Sequence, residues 1–170
     1  MFTPEKYFLD LANGDKLKCR ELFTFSKQFI TGELESRYYQ IYGLGNSGKT
    51  TFIKLLASLA EMNKLKTGSL KLDFSWRFVE TIIDMFACDY IVLEDCSLSE
   101  DLLSAMGQLL RENKKVKLIF IDNILSDDVA SVAGVTIIQL NAHFSFNGES
   151  IQYTNLDNET KTKFLDFVMH

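Results

Sequence analysis

Proline is nearly missing from this chain of 170 residues: Pro4 is the single one, beside nine glycines. That excludes a collagen-like or low-complexity chain. The three cysteines, Cys19, Cys88 and Cys96, are an odd number with no C-x-x-C spacing. Neither a disulfide framework nor a zinc site is expected, and a reducing interior is the default setting. Positive charge is in deficit: 18 Lys and Arg against 23 Asp and Glu give a net charge of −5. A broadly basic nucleic-acid coat is excluded, although a local basic strip is not. No apolar run reaches the roughly 18 residues of a membrane span. The start, Met1-Phe2-Thr3-Pro4-Glu5-Lys6, lacks a basic region followed by an apolar one, so neither secretion nor a membrane span is expected.

What the chain does have is core material, with 14 Phe and 6 Tyr in a length suited to one domain. That abundance argues against disorder. No internal repeat or linker-like segment divides it. The reading is a single unit over 1–170, with N-terminal helices in 1–35, a core in 36–146, and a C-terminal hairpin and helix in 147–170.

Residues 4–12 read as a short helix with Pro4 in its first turn. Leu17, Leu22, Phe25, Phe29 and Ile30 recur at helical spacing through 15–31, and Gly32 ends that helix. Then the period changes. Residues 38–42, 69–73, 89–93, 116–121 and 135–140 read as strands. Helical stretches fall at 49–62, 77–87 and 100–113, the last capped by Ser99. A small hairpin is expected over 143–153 around Asn147-Gly148, and Asp157 or Asn158 caps a last helix ending near His170. Strands alternating with helices give an α/β fold, a five-stranded parallel sheet covered on both faces.

The strongest motif is Gly43-Leu44-Gly45-Asn46-Ser47-Gly48-Lys49-Thr50, a full G-x-x-x-x-G-K-[ST] between an apolar strand and a helix. Gly43, Gly45 and Gly48 let the backbone curl so that several N–H groups point at phosphate oxygens. The helix opening at Lys49 adds its positive end, within reach of Thr51 as well. Lys49 should meet the β- and γ-phosphates of ATP, and the Thr50 hydroxyl should ligate Mg²⁺.

A second pattern is Asp89-Tyr90-Ile91-Val92-Leu93-Glu94-Asp95, an apolar strand ending in two carboxylates. The strand is expected beside the phosphate-loop strand, so that the pair faces the nucleotide. Asp95 would hold the Mg²⁺ shell and Glu94 would polarise the attacking water. The following strand ends in Asp122-Asn123. Asn123 would hydrogen-bond the attacking water or the γ-phosphate, while one position of register would exchange it with Asp122.

Strand, phosphate loop, Glu-Asp strand end and Asn strand end, in this order, resemble the superfamily 3 helicases of small DNA viruses. The likeness is greatest to the ATPase domain of polyomavirus large T antigens and then to the papillomavirus replicative helicase. It rests on Arg37-Tyr38-Tyr39, on Asn46 to Thr51, on Leu70-Lys71-Leu72-Asp73, and on Phe78 to Phe86 running into Val92-Leu93-Glu94-Asp95, and it covers 36–146. The resemblance implies an AAA+-like sheet, a hexameric ring of this chain, ATP hydrolysis at subunit interfaces, translocation on single-stranded DNA and, for a viral protein, the host nucleus inside the cell.

Two departures accompany it. Where the family carries an arginine finger this chain reads Ser131-Val132-Ala133-Gly134-Val135, with Arg37 or Lys114 as substitutes. The family's DNA-binding hairpin has no room in 96–115. The dense basic strip Arg111, Lys114, Lys115 and Lys117 reads either as a solvated helix end or as a short DNA-backbone contact. Trp76 reads as core and His143 as structural. Three functions remain: a replication-helicase motor, a non-motor phosphate-loop module that assembles or regulates, and a small kinase. The kinase is weakest, because such enzymes carry arginine-rich lids and Arg20, Arg37, Arg77 and Arg111 do not cluster.

Overall fold

In the computed structural model the described residues are 3–71, 85–142 and 156–170. Two helices open the chain, α1 (Pro4–Leu11) and α2 (Lys16–Thr31). Their starts are fixed locally: the Thr3 side chain accepts from Lys6 N, and Asp15 accepts from Leu17 N and Lys18 N. Gly32, at φ 82°, ends α2 in the left-handed conformation that glycine adopts without strain. Then follow β1 (Tyr38–Tyr42), α3 (Lys49–Met62), β2 (Thr67–Lys71) and β3 (Tyr90–Glu94). The remaining elements are α4 (Glu100–Ala105), α5 (Gly107–Glu112), β4 (Lys117–Asp122), α6 (Asp127–Ser131), β5 (Val135–Gln139) and α7 (Asn158–Met169).

The strands form one five-stranded sheet in the order β2-β3-β4-β1-β5. Every pairing is parallel. Side chains alternate across it and feed two cores. On one face Tyr39, Ile41, Tyr90, Val92, Ile119 and Ile121 meet α1, α2, α3 and α7 through Phe8, Phe25, Phe29, Phe52 and Phe164. On the other, Ile91, Leu93, Leu118 and Phe120 meet Leu98, Met106, Leu109, Val129 and Val132. The Tyr90 hydroxyl bonds Phe29 O at 2.8 Å, locking α2 to β3.

Several expectations shift. The strand carrying the acidic pair is not beside the phosphate-loop strand, because β4 lies between β3 and β1. The helix expected over 100–113 breaks at Met106 into α4 and α5, although Ser99 does cap it through Leu102 N. Leu17, counted toward the apolar stripe of α2, is 77% exposed. It stands in the first turn, beyond the reach of α1. Strand β2 starts two residues earlier than 69. A further short helix, α6, lies between the strands expected at 116–121 and 135–140, its start capped by Ser126. The helix expected over 77–87 falls mostly outside the described residues, and 85–87 form a turn. The hairpin at 143–153, Trp76, Arg77 and His143 also lie outside them.

Candidate active site

All five strands end their carboxyl termini on one side, and there the segments following β1 and β3 and the tip of β4 meet around a cavity of ≈ 230 Å³. It is lined by Asn46 to Thr51 from the phosphate loop and α3, by Asp95 after β3, and by Ile121, Asp122 and Asn123 from the tip of β4. Glycine is required at Gly43, where an added Cβ would strike Leu140 O and stand 3.0 Å from Ser47 Oγ. Gly48, at φ 81°, is the N-cap of α3, and no side chain caps that helix end. Its first N–H groups therefore remain available to an anion, as at other helix starts. Gly45 has open space around it, and Leu44 is 74% exposed at the loop tip. Gly43 and Leu44 take part through their carbonyls rather than by lining the cavity.

Lys49 is the cation of the site. Its Nζ donates to Gly43 O at 2.7 Å, Leu44 O at 3.0 Å, Ser47 Oγ at 3.1 Å and Asn123 Oδ1 at 3.0 Å. Burial pulls its amine below the ordinary lysine range, and the carboxylates of Asp122 and Asp95 pull partly the other way. Asp122 is held in place: Ser97 Oγ donates to its Oδ2 at 2.5 Å, and the backbone N–H of Asn123 donates to its Oδ1 at 2.6 Å. That settles which of the two polar residues meets Lys49 by side chain, namely Asn123. Asp95 takes φ 55°, a left-handed turn that few residues other than Gly, Asn and Asp adopt.

The acidic pair is divided. Glu94, the last residue of β3, falls in step with Tyr90 and Val92 on the α3 face, whereas Asp95 lies just past the strand, where its left-handed φ of 55° breaks the alternation. Asp95 shares the cavity with Lys49, Thr50 and Asn123. Glu94, 8% exposed, lies in an adjoining cavity of ≈ 210 Å³ with Ser69 and Lys54, and Thr50 and Ile121 line both spaces. Lys54 Nζ stands 3.3 Å from Glu94 Oε1, and Ser69 Oγ donates to the same oxygen at 3.4 Å. Lys54, one turn beyond Thr50, and Ser97 were missed because only the fold brings them here.

The cavity fits the polyphosphate of a nucleotide, with uncapped N–H groups, a buried ammonium and a loop too tight for side chains at Gly43. Among the described residues no group of three His, Cys, Asp or Glu could hold a metal ion. Mg²⁺ is commonly held by one or two carboxylates together with substrate phosphates, and Thr50 and Asp95, the residues expected to hold it, both line this cavity.

No arginine lines the cavity among the described residues. Arg37 precedes β1, at the sheet's opposite end, and its Nη2 donates to Leu110 O at 2.7 Å and Asn113 O at 3.2 Å. Lys114 and Lys115 are exposed beside β4's start, while Lys117 Nζ reaches Glu35 O at 3.3 Å. Both substitutes for the finger thus stand far along the sheet from their own phosphate loop. Cys96 is buried, with its thiol pushed up to about 11 by burial and then by Asp122, which disfavours the thiolate.

No family model and no curated protein matches the sequence. Solved structures do. The replication initiator DnaA bound to AMPPCP and single-stranded DNA aligns at a TM-score of 0.57 and 17% identity, covering 97% of this chain and 59% of that one. The apo C-terminal region of NrS-1 aligns at 0.57 and 13% identity, covering 98% and 44%. The Thermotoga maritima RuvB Holliday junction branch migration motor aligns at 0.51 and 14%, covering 78% and 49%. The fold is that of the AAA+ P-loop ATPases. This chain spans about half the length of the solved structures it resembles. Among the described residues no helix is long and apolar enough to cross a membrane.

Proposed function

We propose that this chain is the ATP-binding and hydrolysing motor domain of a DNA replication protein, and more narrowly of a superfamily 3 viral helicase acting in the host nucleus. The observation that carries the nucleotide reading is Lys49 Nζ joined to both the phosphate loop and Asn123 within one cavity. In this reading Lys49 and the N–H groups of 48–51 bind the phosphates, and Thr50 and Asp95 hold Mg²⁺. Bound Mg²⁺ neutralises phosphate charge during transfer. Asn123 orients the γ-phosphate or its water, and Glu94 accepts the water's proton after leaving Lys54. The replication reading draws on the structural likeness to the replication initiator DnaA. Ring assembly, a hexamer in the resembling family, and a single-stranded DNA partner belong to the same reading.

A second reading is favoured by one observation: among the described residues no arginine lines the cavity, and Arg37 is tied to two carbonyls. It makes the chain a nucleotide-binding assembly or regulatory module without motor activity. ATP turnover with and without single-stranded DNA, beside light scattering with and without an ATP analogue, separates the two. DNA-stimulated turnover in an assembled form supports the motor. A nucleotide-bound monomer with turnover indifferent to DNA supports the module.

A further inference from the structure

Gln40 occupies the middle of β1, between the paired strands β4 and β5, and is fully buried. Its neighbours on the strand are Tyr39 and Ile41, also buried. An amide here is out of keeping with a central parallel strand, which is ordinarily a continuous apolar run. It is also incompletely satisfied. Oε1 accepts from Leu98 N at 2.8 Å, but Nε2 finds no partner among the described residues. A leucine or methionine would fill the same space but leave the buried Leu98 N–H without this acceptor, so what the glutamine adds to packing is its bond to the segment after β3.

The bond it makes leads to the site. Leu98 stands three residues after Asp95, at the end of the turn that carries that carboxylate into the phosphate cavity. Asp95 itself has the left-handed φ of 55°, a conformation that persists only where the surroundings impose it. Three ties among the described residues hold the segment that follows it. Cys96 N donates to Ile121 O at 3.0 Å, Ser97 Oγ donates to Asp122, and Leu98 N donates to Gln40 Oε1. The first two reach the neighbouring strand β4. The third passes beyond it to β1, the strand that runs directly into the phosphate loop. It is a direct link from the acidic turn to the strand that enters that loop, beside the ties that run through β4.

We infer that Gln40 is a positioning residue for nucleotide-bound Mg²⁺: it sets where Asp95 stands relative to Thr50 and Lys49, without touching either metal or nucleotide. The inference rests on the Mg²⁺–nucleotide reading above. It assigns to the interior of β1 a role that the phosphate-loop motif does not contain.

The test compares Gln40→Met, which keeps length and removes the acceptor, with Gln40→Glu, which when protonated keeps a carbonyl acceptor in place. Affinity for a fluorescent ATP analogue is measured in excess Mg²⁺ and in EDTA, and amide exchange over 95–98 is followed without nucleotide. Gln40→Met is expected to reduce the gain in affinity from Mg²⁺ by about tenfold, the order seen when an outer partner of a metal-holding group is lost. Affinity in EDTA should stay within about twofold of the parent, because Lys49 and the loop N–H groups are unchanged. Exchange at Leu98 should quicken, and Gln40→Glu should recover most of the Mg²⁺ gain. An undiminished Mg²⁺ gain in Gln40→Met overturns the inference. So does an equal loss with and without Mg²⁺, which marks a merely structural residue, and so does unaltered exchange at Leu98. A parent chain that binds the analogue neither in Mg²⁺ nor in EDTA overturns the nucleotide reading itself.

Discussion

Lys49 on α3 and Asn123 at the tip of β4 meet at 3.0 Å, Nζ to Oδ1, across 74 residues of chain. The contact turns the Asn123 carboxamide oxygen toward the lysine and leaves its NH₂ as the donor for a phosphate oxygen or water. One side chain binds charge and the other reads its position. Lys49→Ala should therefore weaken ATP binding by roughly 10- to 100-fold, the worth of a hydrogen bond to a charged group. Asn123→Ala should leave binding within a few-fold and slow turnover by about 10²-fold, as when one transition-state donor is lost. Calorimetry and steady-state turnover on the two variants check this, and tight ATP binding in Lys49→Ala would remove the phosphate-loop assignment.

Glu94 and Lys54 give the second prediction. The glutamate is nearly buried, and its cation is 64% exposed, so the pair itself contributes only about 0–1 kcal/mol. If Glu94 must leave Lys54 to accept the water's proton, Lys54→Met should raise turnover severalfold while Glu94→Gln lowers it with ATP still bound. The Lys54→Met chain should also lose about 1 kcal/mol of stability, since Glu94 stays buried without its cation. Unchanged turnover in both variants, measured beside urea unfolding, assigns the pair to structure alone.

The third prediction separates two glycines of one motif. At Gly43 a Cβ has no room against the Leu140 carbonyl, and β1 and β5 are paired alongside. Gly43→Ala should cost about 1–3 kcal/mol, as overpacking does. Gly45 has nothing within 4 Å, so Gly45→Ala should unfold like the parent within about 0.5 kcal/mol, as open surface substitutions do. Equal midpoints for the two variants in thermal unfolding would contradict the difference in space.

Much of this arrangement was legible in the residues. The phosphate loop needed only its spacing and its flanking strand and helix. Strand β1 was read at its observed bounds, and Ser99 and Asp157 cap the helices expected of them. What escaped was contact between distant segments. Nothing near Asp89–Asp95 in sequence says that β4 separates it from β1, because strand order is decided by which helices cover which face. Glu94 and Asp95 are adjacent in sequence, and the left-handed turn at Asp95 that parts them between two cavities leaves no mark in the residue pattern. Gln40 looked like one polar residue in a β run, and only Leu98, 58 positions away, gives it a partner. Arg37 was read for its charge, while the fold spends that charge on the carbonyls closing α5.

The last prediction concerns pH. Lys49 has its amine lowered from the usual 10.5, chiefly by burial, with Asp122 and Asp95 opposing. A bound triphosphate would add negative charge around the ammonium and raise its pKa again. The free chain therefore releases the Lys49 proton at lower pH than the complex does. Below the free-state pKa the lysine is charged in both forms, and affinity does not depend on this group. Above it, binding must take up a proton, so ATP affinity falls as pH rises, by at most about tenfold per unit for one proton. The window opens below 10.5 because the shift is downward. Calorimetry from neutral to alkaline pH, in buffers of different ionisation enthalpy, should show proton uptake appearing with the fall in affinity. Lys49→Met should bind weakly throughout and show neither. A parent affinity that stays level past the ordinary lysine pKa would mean that Lys49 carries no such shift, or that its charge does not meet the phosphates.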